Sequence, residues 1–293
     1  MREEAIADVR RFNRTVTAQV GALDDRFLGR DRPLGETRLL WEIGPDGADL
    51  RSLRSRLGLD SGYLSRLLRA LEGAGLVAVE ADPADRRTRV ARLTEAGLAE
   101  RAALDERSDE LARSLLAPLG EAQRERLVAA MRDVERLLTA GLVEVRESDP
   151  EHPDAERCVA AYIAELEGRE GRRFDPAAGS TARPTELRPP AGLMLVAYLR
   201  GTAVGCGGVK HHGDWSEIKR VWVSGEVRGL GLGRRLMAEL EARASAAGAR
   251  TVRLDTNRHL TEAIALYRAS GYVEIPAFTR EPFAHHWFEK ALR

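Results

Sequence analysis

The chain has 293 residues, a length that suits two domains better than one, and its hydrophobic content of 43% argues against global disorder. The 46 basic and 46 acidic residues cancel, which argues against a uniformly basic nucleic-acid binder but leaves room for a local basic surface. There is no apolar run of about 18 residues that would predict a membrane span. The charged start, MREEAIADVRRFNR, does not have the pattern of a signal peptide. Cys158 and Cys206 are far apart in the sequence, which predicts neither a disulfide framework nor a metal-binding pair, so a cytoplasmic protein is expected.

The first third of the chain has the hydrophobic spacing of helices. One apolar stripe at helical spacing predicts a single helix over residues 1–29. A shorter helix is predicted over Gly35–Ile43, a third around Leu50, Leu53 and Leu57, and a fourth that Ser61 caps. The buried face of this fourth helix is predicted to carry Leu64, Leu67, Leu68 and Leu71.

The pattern then changes to two strands, Leu76–Glu80 and Arg89–Leu93, joined by the polar turn at residues 82–87. A long helix is predicted from Thr94 to about Leu116, followed by a last helix whose apolar residues continue to Val145. The polar, Pro-bearing residues 148–153 are predicted to link a first domain at 1–147 to a second at 154–293.

The order of helix, turn, capped helix and two-stranded wing is that of a winged helix-turn-helix. With its leucines turned inward, the fourth helix presents arginines and hydroxyl groups that suit a DNA major groove. The wing adds further arginines for the phosphate backbone or a narrow minor groove. The predicted DNA contacts are Ser61, Tyr63, Ser65, Arg66, Arg69, Arg86, Arg87 and Arg89. The alternative is that these arginines only form a solvated surface.

Two segments favour DNA binding. DRRTRVARLTEAG at 85–97 resembles the wing of MarR-family regulators, and GYLSRLLRALEGAGLV at 62–77 resembles their recognition helix. The resemblance covers about residues 5–145 and implies that the first helix and the last two form a dimer interface. Two-fold symmetry then implies double-stranded DNA with a pseudo-palindromic operator as the partner.

The rest of the chain is predicted to be mixed α/β. A helix over 154–168 precedes a loose stretch at 170–190, and a hairpin of strands 193–199 and 203–209 follows. Next come strand 218–223, helix 232–247, strand 251–255, helix 260–270 and late strands at 272–275 and 283–289. The adjacent pairs His211-His212 and His285-His286 predict no metal site, because neighbours on a strand point to opposite faces.

The run RGLGLG at 228–233 lies between strand 218–223 and helix 232–247. Glycines there let a phosphate approach the backbone, and the helix N-terminus offers unpaired N–H groups. A nucleotide P-loop needs Gly-Lys-Ser/Thr, but Gly233 is followed by Arg234-Arg235. The spacing of Gly229, Gly231 and Gly233 also differs from the dinucleotide fingerprint G-x-G-x-x-G.

The spacing Arg-x-x-Gly-x-Gly is similar to the coenzyme A signature of GNAT acetyltransferases. The preceding EIKRVWV at 217–223 resembles that family's central strand, and Asn257, ALY at 265–267 and SGY at 270–272 resemble its later elements. The resemblance covers about residues 155–293. It implies an α/β GNAT fold with a mixed, mostly antiparallel sheet, and acetyl-CoA as the cofactor. The residues it implies for coenzyme binding are Val221, Val223, Arg228, Gly229, Gly231, Gly233, Arg234, Asn257 and Tyr267.

Amide formation from a thioester needs a neutral amine and a leaving thiolate, so a base and an acid are useful. By the same resemblance Glu217 is the candidate base and Tyr267 the candidate acid. Glu217 has an alternative role as an ion-pair partner of Arg220 or Lys219, Tyr267 as a packed aromatic, and Asn257 as a helix cap.

These observations predict a homodimeric regulator fused to an acetyl-CoA-dependent N-acetyltransferase, whose acceptor amine attacks directly in a ternary complex. Two alternatives stay open: a regulator whose second domain only senses acetyl-CoA or a small ligand, and an enzyme whose first domain only dimerises. The acceptor is a small amine, an amino acid or a protein lysine. Four arginines in the loose stretch are candidates for binding an acceptor carboxylate, with surface solvation as the alternative: Arg172, Arg173, Arg183 and Arg188.

Overall fold

A computed structural model describes residues 3–24, 26–82, 86–173 and 182–292. Its contacts divide the chain into two compact units, Met1–Ala130 and Met131–Arg293. The predicted turn at 82–87 and the predicted loose stretch at 170–190 both fall partly outside the described residues.

The first unit is mainly helical. Its helices are α1 (Glu3–Gln19), α2 (Leu34–Ile43), α3 (Leu50–Leu57), α4 (Ser61–Gly73), α5 (Glu95–Leu116) and α6 (Glu121–Gly141), the last of which runs past the boundary. Leucines from α2, α3, α4 and α5 form one buried core. The strands β2 (Val77–Ala81) and β3 (Arg89–Leu93) form the predicted antiparallel wing. A two-residue strand, β1 (Ala48–Asp49), pairs with β3 and is too short to leave a pattern in the sequence.

The prediction of one helix over residues 1–29 is wrong in length. Helix α1 ends at Gln19, Gly21 has a left-handed φ of 65°, and a short 3₁₀ turn follows at Phe27–Gly29. A left-handed residue cannot continue a right-handed helix, so the chain turns there. Phe27 is buried, whereas α1 has no buried residue at all and Val9 is 59% exposed.

The predicted last helix is also wrong beyond Gly141. Residues Val143–Ser148 form a strand, β4, that pairs antiparallel with residues 194–199 of the second unit. Val143 is buried and Glu144 is exposed, which is the two-residue period of a strand. Strand β4 therefore lies in the sheet of the second unit, and the predicted linker begins on its last residue, Ser148.

The second unit is built on a seven-stranded sheet in the order β4-β5-β6-β7-β8-β10-β9. The further strands are β5 (Gly192–Leu199), β6 (Thr202–His211), β7 (Trp215–Val223), β8 (Thr251–Thr256), β9 (Val273–Ile275) and β10 (His286–Ala291). The helices are α7 (Pro153–Glu170), α8 (Leu232–Ala246) and α9 (Thr261–Ala269). Among these described strands only the β7–β8 pair is parallel, so the predicted mixed, mostly antiparallel sheet is confirmed.

Two buried clusters cover opposite faces of this sheet. Leu195 and Ala197 pack in a cluster with α8 and α9, while their neighbours Met194 and Val196 pack in a cluster with α7. Both cysteines, although far apart in the sequence, lie in the α7 cluster.

The sheet opens at its centre. Strands β7 and β8 pair only over Trp215–Glu217 and Thr251–Arg253, and both continue beyond this ladder. On its other edge β7 has a bulge, because Gly208 faces Lys219 whereas Cys206 faces Trp222. Arg220 lies in the bulge with a left-handed φ of 55°, which is uncommon for a residue other than glycine. The candidate functional site lies in this opening.

Candidate functional site

A cavity of about 580 Å³ lies beside the unpaired end of β7. It extends from the glycine run at the start of α8 to Tyr267 on α9, with α7 along one side. The lining residues include Tyr162, Glu165, Arg169, Val221, Trp222, Val223, Arg228, Gly229, Gly231, Gly233, Arg234, Leu260, Glu262, Leu266 and Tyr267. We call this the large cavity.

The three glycines of the run have different structural roles. Gly229 and Gly231 have left-handed φ angles of 82° and 76°, and a Cβ built on either would meet no atom within 4 Å. Gly231 precedes α8 and no side chain caps the helix there, so the first N–H groups of α8 are open toward the cavity. Gly233 instead allows close packing, because a Cβ there would lie 3.2 Å from Leu266 Cδ2. The first two thus leave space for a ligand, and the third fits α8 to α9.

The two predicted arginines of the run differ. Arg234 is exposed and lines the large cavity. The Arg228 Nη2 atom donates to Glu165 Oε2 at 2.6 Å, and the Trp222 Nε1 atom donates to the same oxygen at 3.0 Å. Arg169 links Glu165 to Glu262 at the same wall. Arg228 therefore has an internal partner already, and its charge is partly neutralised.

A second, small cavity of about 70 Å³ lies on the other side of Tyr162, Val221, Leu260 and Tyr267, which line both. Its wall also carries polar side chains from the opened strands and from the chain before β10: Lys219, Arg220, Asp255, Thr256 and Glu281. Two ligands bound in the two cavities would therefore meet at the shared wall.

Two tyrosines form this shared wall. Burial, with smaller contributions from Tyr162 and Asp255, raises the pKa of Tyr267 well above its ordinary value. Burial likewise raises the pKa of Tyr162 to about 12. Both hydroxyls therefore stay protonated at neutral pH, as a proton donor requires. Tyr267 was predicted at this place from the sequence, and Tyr162 was not.

The other predicted coenzyme contacts divide into two groups. Val221 and Val223 line the large cavity, on the part of β7 that β8 leaves unpaired. Asn257 lines neither cavity; its amide donates to Glu170 and to the Phe283 carbonyl, and its Oδ1 accepts from the His259 N–H. Asn257 thus orders the turn before α9, and Leu260, not Asn257, stands at the N-cap of that helix.

Glu217 is 3% exposed and lines neither cavity. Its carboxylate lies 2.9 Å from Lys219 Nζ, 3.4 Å from His212 Nε2 and 3.6 Å from Lys210 Nζ. Lys219 also donates to Asp255 Oδ2 at 2.8 Å. Burial alone would lower the pKa of Lys219, but the carboxylates of Asp255 and Glu217 raise it overall. Of the two partners predicted for Glu217, the structure selects Lys219 rather than Arg220, and Lys219 connects it to the small cavity.

The first unit presents the predicted surface of α4. Leu64, Leu67, Leu68 and Leu71 are buried, while Ser61, Tyr63, Ser65, Arg66 and Arg69 are exposed. The Arg66 guanidinium lies over the Tyr63 ring, 5.4 Å from its centroid. The predicted cap is wrong by one residue: the side chain of Asp60, not Ser61, accepts from the Tyr63 N–H. Ser61 is consequently left in the first exposed turn.

The wing carries its predicted arginines at the surface. Arg86, Arg87 and Arg89 are exposed, and Arg89 Nη2 donates to the Val79 carbonyl at 3.3 Å. Pro83, Ala84 and Asp85 of the predicted turn lie outside the described residues.

Two further features of the described ranges bear on function. None of the helices there has the length and apolar content that a membrane span requires. No cluster of His, Cys, Asp and Glu in the same ranges has the make-up of a metal site. His212 stacks on Trp215, and His286 contacts Glu274, so each has a partner of another kind.

Family models match both units. The model described as Acetyltransferase (GNAT) family matches residues 155–272, and the model described as MarR family matches residues 36–88. The first match spans the glycine run and Tyr267, and the second spans α4 and the first wing strand, β2.

Two relatives and one solved structure are each similar to part of the chain. An IAA acetyltransferase of Azospirillum brasilense is 34% identical over 118 residues, which cover 40% of this chain and 77% of the relative. An N-acetyltransferase of Schizosaccharomyces pombe, described as uncharacterised, is 39% identical over 101 residues, 33% of this chain and 59% of that one. A solved structure described as an acyl-CoA N-acyltransferase, from Klebsiella pneumoniae, is 30% identical with a TM-score of 0.44, and covers 52% of this chain and 99% of its own. The chain therefore belongs to the GNAT acetyltransferase family through its second unit, and it carries a MarR family domain in its first.

Proposed function

We propose that the second unit transfers the acetyl group of acetyl-CoA to an amine by direct attack in a ternary complex. The observation that carries this proposal is the pair of cavities that meet at Tyr162, Val221 and Tyr267. Direct attack needs two ligands bound at once with their reacting atoms in contact. A thioester is already activated, so this chain needs no nucleophile of its own.

The large cavity suits coenzyme A in shape and charge. The first N–H groups of α8 have no side-chain cap and suit a pyrophosphate. The open space at Gly229 and Gly231, where a Cβ would meet no atom within 4 Å, leaves room for it. Arg234 adds a positive charge at the same place. The pantetheine arm would lie along Val221 and Val223, where the unpaired edge of β7 offers backbone groups as to an extra strand.

The residues around the shared wall supply the proton transfers. Tyr267 donates a proton to the departing thiolate, and its raised pKa keeps that proton in place until then. Glu217 lines neither cavity, so it accepts the proton of the amine through water, while Lys219, its neighbour at 2.9 Å, has a raised pKa and stays protonated. Lys219 lines the small cavity and therefore stands between Glu217 and the amine.

The direct test is release of free coenzyme A thiol by the full chain, measured against a panel of amines and amino acids. Thiol release that depends on an acceptor, with an acetylated product of the expected mass, would support the transfer. Tight acetyl-CoA binding without release for any acceptor would favour the alternative of a ligand sensor.

We further propose that the first unit binds double-stranded DNA as a homodimer. Exposed apolar residues of this unit support the dimer: Ile6, Val9, Phe12 and Val16 on α1 and Leu98 on α5 are each between 39% and 59% exposed. Apolar side chains in such number at helical spacing favour burial against a second copy. A symmetric pair of α4 helices would read a pseudo-palindromic operator.

Replacing Arg86 and Arg87 with Ala should weaken DNA binding about equally for all operator sequences. These exposed wing arginines are placed to bind phosphates, which carry little sequence information. The salt dependence of the affinity should fall by about one unit of slope for each phosphate that an arginine no longer neutralises. The measurement is a salt titration on operator DNA selected from genomic fragments. Arg200 and Arg250, exposed arginines of the second unit, give the matched double variant, which should bind as the wild type does. Equal slopes in both double variants would contradict the proposed role of the wing.

A further inference from the structure

We propose that the acceptor carries a carboxylate next to its amine, as an amino acid does, and that Arg220 binds this carboxylate. The inference rests on the proposed acetyl transfer and names its acceptor class. Its basis is a half-buried guanidinium on the wall of the small cavity that forms no ion pair within the described part of the chain, since the charge of Glu186 acts on it only from beyond ion-pair distance.

Arg220 differs from the comparable arginines of its unit. Five arginines of the described second unit are half-buried, and four of them form ion pairs: Arg169 with Glu165, Arg188 with Asp149, Arg243 with Glu147 and Arg253 with Glu289. The Arg220 side chain forms neither an ion pair nor a hydrogen bond within the described ranges. Removing a charge from water without a partner costs free energy, and burial lowers the pKa of Arg220 accordingly. An anionic ligand would offset this cost.

The backbone holds Arg220 in this place. It lies in the bulge of β7 with φ at 55°, a conformation that costs energy in a residue other than glycine. The bulge puts two residues of β7, Arg220 and Val221, opposite one residue of β6. Arg220 lines the small cavity alone, whereas the next residue, Val221, lines both cavities. The strained position therefore lies where the acceptor must sit.

The same cavity also offers negative charge for the ammonium form of an amine. Asp255 accepts from Lys219 and from Thr279 Oγ1 on its Oδ2 atom, whereas its Oδ1 atom has no hydrogen bond within the described ranges. Glu281 lines the wall as well. The Arg220 guanidinium and the carboxylates of Asp255 and Glu281 together suit a ligand that carries a carboxylate and an ammonium group.

The volume of the small cavity and the position of Arg220 limit the ligand to a small, charged group. A cavity of about 70 Å³ has the volume of roughly two water molecules, which suits the charged end of an amino acid but not a whole side chain. Arg220 does not line the large cavity, so the phosphates of coenzyme A are not its partner. The arginines of the loose stretch do not replace it, because none of the four, Arg172, Arg173, Arg183 and Arg188, lines the small cavity. Arg188 pairs with Asp149, and Arg172 lies over the Phe283 ring.

The test compares amino acids with the amines that lack only the carboxylate: histidine with histamine, phenylalanine with phenethylamine, and tryptophan with tryptamine. Coenzyme A release is measured with the full chain. We expect the wild type to prefer the amino acid of the best pair by roughly 10- to 100-fold in kcat/KM, the range of a charge-assisted hydrogen bond. Arg220→Gln should remove this preference by raising KM for the amino acid. Arg220→Lys should keep only part of this preference. An ammonium group still attracts a carboxylate, but it cannot bind one through two parallel hydrogen bonds.

Two controls separate this role from a structural one. Arg253→Gln removes an arginine of the adjacent strand that pairs with Glu289 away from both cavities, and it should keep the preference. Calorimetry with acetyl-CoA should give the wild-type affinity for Arg220→Gln, which shows that this variant folds.

The outcomes distinguish the two proposals. Coenzyme A release with amines but without a preference for amino acids, or a preference that survives in Arg220→Gln, overturns this inference alone. Absence of release with every acceptor overturns the proposed acetyl transfer and this inference with it.

Discussion

Gly231→Asp should abolish measurable binding of acetyl-CoA. Gly231 has a φ of 76° and open space where a Cβ would lie, directly before the uncapped first turn of α8. A carboxylate there would occupy the place proposed for the pyrophosphate and repel it. Loss of two charge-assisted hydrogen bonds alone costs about 3 kcal/mol, or roughly 150-fold in affinity. Calorimetry on the purified full chain is the measurement.

Two further variants separate the effect of the charge from that of the bulk, and the effect at this site from that at another turn. Gly231→Asn keeps the bulk of the Asp side chain and removes its charge. Both Asn and Asp tolerate a left-handed φ better than other residues with a side chain. Gly231→Asn should weaken binding less than Gly231→Asp does. Gly248→Asp introduces the same residue at a φ of 94° with equally open space, in the turn after α8 and away from the cavity. Wild-type affinity is expected for Gly248→Asp. Wild-type affinity in a folded Gly231→Asp would remove the pyrophosphate assignment.

The place of the glycine run could be predicted because it depends only on local order. A strand, a glycine-rich turn and a helix follow one another in the sequence, and helix N-termini bind anions for a local reason. The separate roles of the glycines could not be predicted. Gly233 is required by Leu266, which comes more than thirty residues later and meets it only in the folded structure.

The surroundings of Glu217 depend on register between strands. Lys210 lies on β6, Lys219 on β7 and His212 in the turn between them, and their distances to one carboxylate follow from the β6–β7 pairing. The bulge at Arg220 belongs to the same β6–β7 pairing. It could not be predicted, because one extra residue in a strand leaves no pattern in the sequence. Tyr162 had a local signal, because it is the one aromatic residue of α7. Only the packing of α7 on the sheet brings it opposite Tyr267.

Strand β4 shows how a helical pattern can mislead. Leu138, Leu142 and Val145 are three and four residues apart, which matches a helix that continues through them. Val143 and Val145, which alternate with the charged Glu144 and Arg146, match a strand equally well, and the pairing with β5 decides between the two. Short apolar segments at domain boundaries are ambiguous for this reason, whereas α4 and the wing, inside one unit, were predicted nearly to the residue.

Tyr267→Phe should lower kcat by roughly 10²- to 10³-fold, within the range of a positioned proton donor, and leave acetyl-CoA affinity nearly unchanged. The ring packs near Tyr272 and Phe288 and stays in place without its hydroxyl. The hydroxyl acts only when negative charge develops on sulfur, so its loss lowers kcat and kcat/KM together. Steady-state kinetics with an identified acceptor, together with calorimetry on acetyl-CoA, are the measurements.

The pH dependence and two neighbouring tyrosines test this assignment. Burial raises the pKa of Tyr267, so its hydroxyl stays protonated from pH 6 to 9 and the loss of kcat in Tyr267→Phe should be constant over that range.

Tyr272→Phe removes a hydroxyl that donates to Glu241 outside both cavities, and it should change stability without changing kcat. Tyr162→Phe is the decisive comparison, because Tyr162 shares the wall and also has a raised pKa. If Tyr162→Phe loses the activity and Tyr267→Phe keeps it with chemistry rate-limiting, the donor is on α7 and Tyr267 only packs. If both variants lose it and the double variant loses no more than either, the two hydroxyls act as one unit through a shared water.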